Sequence, residues 1–174
     1  MGLIPFERSY WILPNRLLAG EIPAAKNMDE SISKIEALIK ANVNVIINLM
    51  EEDERNYNDE LFFDYSKYLD PEKVMMHRMP IVDLSIPSKA HMLKILDVID
   101  EALAHNKVVY VHCWGGVGRT GTVIGCYLMR KGMATSTNVI ETIEYLKRTT
   151  SIAQRQSPET PEQRQYLRTW NETI

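Results

Sequence analysis

The segment that most restricts what this chain can be runs Val111-His112-Cys113-Trp114-Gly115-Gly116-Val117-Gly118-Arg119-Thr120-Gly121. A short apolar, β-branched strand over 107–112 leads into a cysteine, a glycine-rich turn follows, and the spacing predicts a largely buried helix from Arg119 to Arg130, stopped by Gly132. Three glycines among the five residues Trp114, Gly115, Gly116, Val117 and Gly118 let the backbone curl so that successive N–H groups point inward, making a nest for an anion. The helix start brings further unpaired N–H groups and a positive dipole end to the same point. Thiols in such fields fall from a pKa of about 8.5 to roughly 3.5–7.5, so Cys113 is expected as a thiolate nucleophile at neutral pH. Arg119 supplies a planar fork that matches two phosphate oxygens, which a lysine cannot reproduce. Nest, guanidinium and helix end would together stabilise the equatorial oxygens of a phosphorus under attack.

Displacing an alkoxide or phenoxide from phosphorus also needs a proton donor. Met79-Pro80-Ile81-Val82-Asp83-Leu84-Ser85-Ile86-Pro87 offers one, because two prolines bracket Asp83 between a predicted strand and a predicted helix. Read alone, Asp83 is an ordinary helix-entry or surface acid. Beside the Cys113 loop it becomes the candidate general acid, and later the base that activates water.

Around these motifs the chain alternates strands and helices. Residues 11–13 and 16–19 flank a Pro14-Asn15 turn, and Asn27 with Glu30 predicts a capped helix with Ile32, Ile35 and Ile39 on one face. Residues 43–50 and 74–81 read as strands. Met92, Ile95, Leu96, Ile99 and Leu103 mark a helix beginning after Ser88 and ending by Asn106; Val139, Ile143 and Leu146 mark another. Thr160-Pro161-Glu162-Gln163 opens the last. The expected fold class is therefore α/β: a single domain over 1–174 with a mainly parallel central sheet flanked by helices. A chain of 174 residues, 45% hydrophobic and 25% charged, can bury its own core.

The Cys113 segment resembles the cysteine-x5-arginine signature of the protein tyrosine phosphatase superfamily. The ending Gly-x-Gly-Arg-Thr-Gly is unlike that of rhodaneses, and low-molecular-weight phosphatases carry their cysteine near the N-terminus. Leu17-Leu18-Ala19-Gly20, Asn48-Leu49, the Asp83 loop and the final helix extend the likeness to a compact dual-specificity-type phosphatase. That resemblance implies a phosphotyrosine protein phosphatase-like fold, a phosphocysteine intermediate, and neither cofactor nor metal. It also implies that Thr120 supports the thiolate as a leaving group, and that His112 orders the loop and lowers the cysteine pKa. Gln163 either completes a capping box with Thr160 or helps position the hydrolytic water or the loop, as a Thr-x-x-Gln does in related phosphatases.

Other features admit plainer readings. Trp114 is a pocket wall or a packing residue, and Cys126 a buried structural thiol. Residues 51–64 hold seven acids against Arg55 alone, a local charge of −6, and read first as a solvated surface loop. Tyr57, Phe62, Phe63, Tyr65 and Tyr68 in and beside it read as local packing before they read as walls of a phosphotyrosine cleft.

A formal charge of −3 argues against nucleic-acid binding, and no apolar run reaches the roughly 20 residues that span a bilayer. No basic, apolar leader opens the chain, Phe6 stands where a myristoylation site needs Ser or Thr, and only Cys113 and Cys126 occur. A cytoplasmic location is expected. The expected substrate is a phosphorylated protein, first of all phosphotyrosine, with phosphoserine or phosphothreonine also open. A phosphoinositide, an inositol phosphate or an RNA 5′-phosphate is the alternative, disfavoured because the five loop residues include no Lys or Arg. A catalytically silent phosphoprotein-binding module is a further one, against which stand Cys113, Arg119 and Asp83.

Overall fold

The computed structural model describes residues 4–173. Five strands form one sheet: β1 (Ser9–Leu13), β2 (Leu17–Gly20), β3 (Val43–Asn48), β4 (Met75–Arg78) and β5 (Val108–His112), in the spatial order β1-β2-β5-β3-β4. Only the β1–β2 hairpin is antiparallel; β2, β5, β3 and β4 pair in parallel, as the alternation of elements predicts. Asn15 takes the left-handed conformation (φ 56°) that its turn requires.

Five helices connect and cover the sheet: α1 (Met28–Lys40), α2 (Lys89–Ala104), α3 (Gly118–Arg130), α4 (Val139–Lys147) and α5 (Pro161–Thr169). Side chains along β5 alternate. Val109 and Val111 join a core with α2 to α5, while Val108 and Tyr110 face a smaller core with α1 and a short 3-10 turn, Tyr65–Tyr68.

Two faces differ from the periodicity. On α1 the buried residues are Ser31, Ile35 and Leu38, and Ile39 is exposed. The Ser31 hydroxyl donates to Asn27 O and accepts from Ala25 N, so a polar residue is satisfied inside while Ile39 turns out. On α4 the buried positions are Val139, Ile143 and Lys147; Leu146 packs against the same core but is only partly buried, and Lys147 lies deeper. Its Nζ pairs with Glu144 and donates to Ile152 O, Ala153 O and Arg155 O. A buried ammonium is stable only when paired and hydrogen-bonded in this way.

The register explains where chemistry can assemble. Gly20, His112, Asn48 and Arg78 stand in one row across the four parallel strands, each the last residue of its strand. Their following loops therefore leave one edge of the sheet together, where open α/β sheets place their ligand sites. Because β1 is antiparallel, Ser9 pairs with Gly20 and brings Arg8 to that edge too. Among the described residues no helix is long and apolar enough to cross a membrane.

Candidate active site

Cys113 follows β5 directly and is 3% exposed at the floor of a cavity of about 200 Å³. The turn after it closes tightly. Gly116 adopts φ 72°, and a Cβ there would stand 2.5 Å from the backbone of Gly20 and 2.7 Å from Glu21 N, so only glycine fits. The Trp114 carbonyl accepts from Ile22 N at 3.0 Å and ties the turn to the second residue after β2. Val117 precedes α3 without any side-chain cap, which leaves the first N–H groups of the helix facing the turn. Ser157 Oγ donates to Val117 O at 2.8 Å and holds that corner from behind.

Arg119 lies in the first turn of α3 and is 1% exposed, yet its guanidinium reaches the cavity. Nη1 donates to Glu54 Oε2 at 2.6 Å and to Ile81 O at 3.1 Å. Nη2 donates to Glu54 Oε1 at 2.7 Å and pairs with Asp83 Oδ1 at 2.9 Å. Nε is buried without a hydrogen-bond partner. A guanidinium has five N–H groups, and here Glu54, Ile81 and Asp83 use four. Burial disfavours the charge of Arg119, but the Glu54 hydrogen bonds, with Cys113 and Asp83 nearby, more than offset that and raise its pKa. The Nε–Nη2 edge is the one free to meet a bidentate oxyanion, once Asp83 lets go of Nη2.

Glu54 is the residue that sequence reasoning missed. The acidic segment is not only a solvated loop: the Glu54 side chain is 8% exposed, and its carboxylate also accepts from Glu51 N at 3.2 Å. Glu51, Glu52 and Asp53 beside it are exposed, as a surface loop predicts. Four consecutive acids carry no signal that distinguishes the fourth.

Asp83 sits in a turn between β4 and α2, lines the same cavity as Cys113, and keeps its side chain 43% exposed. Gln163 uses both ends of its amide. Its Oε1 accepts from Glu159 N and Thr160 N at 3.1 Å, completing the capping box of α5, while Nε2 donates to Ser85 O at 3.0 Å and anchors the Asp83 turn. A Cβ on Gly118 would come within 3.0 Å of Gln163 Oε1, so the residue wedges between the two loops.

His112 is fully buried between two fixed partners. Nδ1 donates to the Cys113 carbonyl at 3.0 Å, and Nε2 then accepts the Tyr65 hydroxyl at 2.6 Å, which burial keeps protonated. Burial first, and the Arg119 and Arg78 charges next, push the imidazole down to about 3. His112 is thus held as the neutral imidazole, with Nδ1 fixed on the Cys113 carbonyl. The buried Thr120 hydroxyl, in the first turn of α3, is turned to Gly20 O at 3.5 Å.

Trp114 walls the cavity, and Tyr57 and Phe62 pack on it with ring centroids 4.6 and 5.1 Å away. Tyr57 itself lines the mouth, while Tyr65 is interior and Phe63 stacks on Tyr68. Cys126 is fully buried in α3, and burial raises its thiol pKa. Gly115 to Gly118 carry no cation, but Arg8 and Arg155 reach the cavity from distant segments. A larger cavity of about 440 Å³ lies under the acidic segment and contains neither Cys113 nor Arg119, so the chemistry points to the smaller one. Among the described residues no three His, Cys, Asp or Glu side chains cluster to hold a metal ion.

Known proteins resemble this chain in sequence and in fold. Zebrafish (Danio rerio) dual specificity protein phosphatase CDC14AB is 32% identical over 139 residues, covering 75% of this chain and 20% of that protein. Human dual specificity protein phosphatase CDC14C is 30% identical over 137 residues, covering 75% and 28%. The matches thus span only between a fifth and a third of these relatives' length. The crystal structure of Tk-PTP in the active form superposes with a TM-score of 0.68 at 25% identity, covering 97% of this chain and 99% of that one. Kinase associated phosphatase superposes at 0.71 with 20% identity, over 87% and 83%, a likeness of fold. Residues 22–133, from the end of β2 to just past α3, match the family model described as a polymorphic toxin system DSP-PTPase phosphatase, and the chain belongs to that family.

Proposed function

We propose that this chain is a cysteine-dependent phosphatase of phosphorylated proteins, with phosphotyrosine as its preferred residue. The observation that carries the reading is the meeting of Cys113, Arg119 and Asp83 in one cavity at the N-terminus of α3. A phosphate monoester entering there engages the N–H groups of the loop and the Nε–Nη2 edge of Arg119, and displaces Asp83 from Nη2. The Cys113 thiolate attacks phosphorus, a S–P bond forms, and the ester P–O bond breaks as Asp83 passes its proton to the departing oxygen. Water then attacks the phosphocysteine with its proton going to Asp83, the S–P bond breaks, and inorganic phosphate leaves. Gln163, by holding the Asp83 turn through Ser85, is a positioning residue for both steps.

Tyrosyl phosphate is favoured because a phenol, with a pKa near 10, leaves more readily than an aliphatic alcohol. The Tyr57 ring at the mouth, packed on Trp114, suits an aromatic substrate. Two free thiols in so small a chain fit a reducing compartment such as the cytoplasm.

Purified protein should hydrolyse phosphotyrosine peptides faster than matched phosphothreonine or phosphoserine peptides. Cys113→Ser should abolish turnover, a loss of roughly 10⁶-fold on the scale of nucleophile removal, and still bind phosphopeptide. Equal rates on the three peptides would establish dual specificity instead. A Cys113→Ser protein that still turns over would end the covalent reading.

A further inference from the structure

Arg8 and Arg155 have no part in the chemistry just described, yet both line the Cys113 cavity. They arrive by separate routes. Arg8 reaches the rim because β1 runs antiparallel to β2, and the Arg8 carbonyl accepts from Glu21 N at 3.1 Å. Arg155 comes from the connection between α4 and α5. Its guanidinium lies against the phosphate-binding turn itself, since a Cβ on Gly115 would stand 3.0 Å from Nη1. A larger residue in place of Gly115 would crowd the guanidinium as it lies here.

The segment that presents Arg155 is pinned from below. Lys147 Nζ, fully buried, donates to the carbonyls of Ile152, Ala153 and Arg155, the last at 2.5 Å. Glu144 pairs with Lys147 and accepts from Ser157 N at 2.7 Å. A buried ammonium has a large desolvation cost, and this one is committed to fixing a single turn whose outer side chain faces the cavity. Both arginines are held loosely by one acid each: Arg155 by Glu159 at 2.7 Å and Arg8 by Glu21 at 3.4 Å, with both arginine side chains 45% exposed. Pairs this exposed contribute little and exchange readily for another anion.

We propose that Arg155 and Arg8 form a second anion-binding subsite beside the Cys113 pocket, which selects phosphopeptides bearing another negative group within a residue or two of the phosphorylated one. The inference rests on the phosphatase reading and names its substrate class. The cavity is small, and consecutive Cα atoms are about 3.8 Å apart, so only a near neighbour in sequence reaches the subsite. A peptide is favoured over an anionic membrane surface because it can present its few charges to Arg155 and Arg8 alone, whereas an extended anionic surface would also face the 51–64 segment, to which Tyr57 at the mouth belongs and whose local charge is −6.

The test compares phosphotyrosine peptides with aspartate, a second phosphate, alanine or lysine beside the phosphotyrosine. Binding to the Cys113→Ser protein is measured with kcat/KM of the unaltered enzyme. Acidic and doubly phosphorylated peptides should bind about tenfold more tightly than alanine peptides, the scale of one charge-assisted hydrogen bond, and the advantage should shrink with added salt. Arg155→Gln should bring the ratio close to one, Arg155→Glu should invert it toward lysine, and Glu159→Gln should increase it by removing the resident competitor. Because Glu159→Gln predicts a gain, a general loss of structure cannot imitate it.

No acidic preference in the binding assay, or a preference that survives Arg155→Glu, overturns the subsite. So does a short-chain phosphoinositide bisphosphate that outcompetes every peptide through Arg155, since that assigns the subsite to a lipid headgroup. Binding with the predicted preference but no hydrolysis by the unaltered protein would instead remove the phosphatase reading and leave the subsite standing.

Discussion

The 51–64 segment and the 79–87 turn follow neighbouring parallel strands, and each delivers one carboxylate to the same guanidinium. They do so on different terms. Glu54 meets both Nη atoms of Arg119 with its two oxygens, takes a backbone N–H as well, and is 8% exposed. Asp83 makes one 2.9 Å contact and is 43% exposed. A buried bidentate pair with its remaining acceptors satisfied fixes the orientation of the arginine, whereas a half-exposed single contact is weak and exchangeable. On the proposed reading, one carboxylate belongs to the construction of the phosphate clamp and the other to its operation. Both are acids beside a phosphate site, and only the satisfaction of their hydrogen bonds separates the roles.

Removing the residue they share should have the largest effect. Arg119→Lys keeps a positive charge but loses the fork, so Glu54 and phosphate can no longer be held at once. The expected fall in kcat/KM is roughly 10³–10⁵, the range for an arginine that stabilises phosphoryl transfer. A loss below tenfold would mean that charge alone, not geometry, does the work.

Asp83→Asn comes next, with kcat lowered about 10²–10⁴-fold and the loss greatest for substrates with poor leaving groups. Phosphate affinity should hold or improve, because a carboxylate no longer competes for Nη2. Weaker phosphate binding in this variant would place Asp83 in the clamp and break the comparison.

Glu54→Gln should cost about 10²-fold, as expected when a catalytic group is displaced by around an ångström. Here phosphate binding and kcat should weaken together, the opposite pattern to Asp83→Asn, with partial rescue by Glu54→Asp. If kcat alone falls and follows leaving-group pKa, Glu54 is the proton donor and the assignments exchange.

The smallest effect concerns stability. Tyr65, just past the acidic segment, holds His112 neutral with its pKa pushed down to about 3 by burial. The unfolded chain binds a proton at this histidine below about 6.5 while the folded one does not. Its contribution is therefore complete above 6.5 and lost as pH falls from there toward about 3. Urea midpoints at pH 7, 6, 5 and 4 should decline, less steeply in His112→Gln, which can keep both hydrogen bonds. Identical slopes would mean that His112 is not held neutral in the fold.

The parts of the site that could be read in advance are those whose partners are near in sequence. Cys113, the glycines and Arg119 lie within seven residues, and a strand–turn–helix passage leaves them one geometry. The α5 capping box was legible in Thr160 and Gln163 for the same reason. Gln163 Nε2 to Ser85 O, 78 residues apart, was not. Lys147 was hidden for a different reason: periodicity assigns apolar residues to the inside, and a buried ammonium exists there only because three carbonyls of a later turn converge on it.

By itself the sequence determined the α/β class, the mainly parallel sheet and the strand–turn–helix passage that carries Cys113 and Arg119, because backbone curvature, helix starts and hydrophobic period are local properties. Tertiary structure alone decided which of four consecutive acids grips Arg119, that His112 is neutral, and that two distant arginines stand at the rim. Those outcomes depend on strand register, which aligns Gly20, His112, Asn48 and Arg78 and sends their loops to one edge. Register is settled by the packing of both sheet faces at once, a sum over distant contacts that no short stretch of sequence contains.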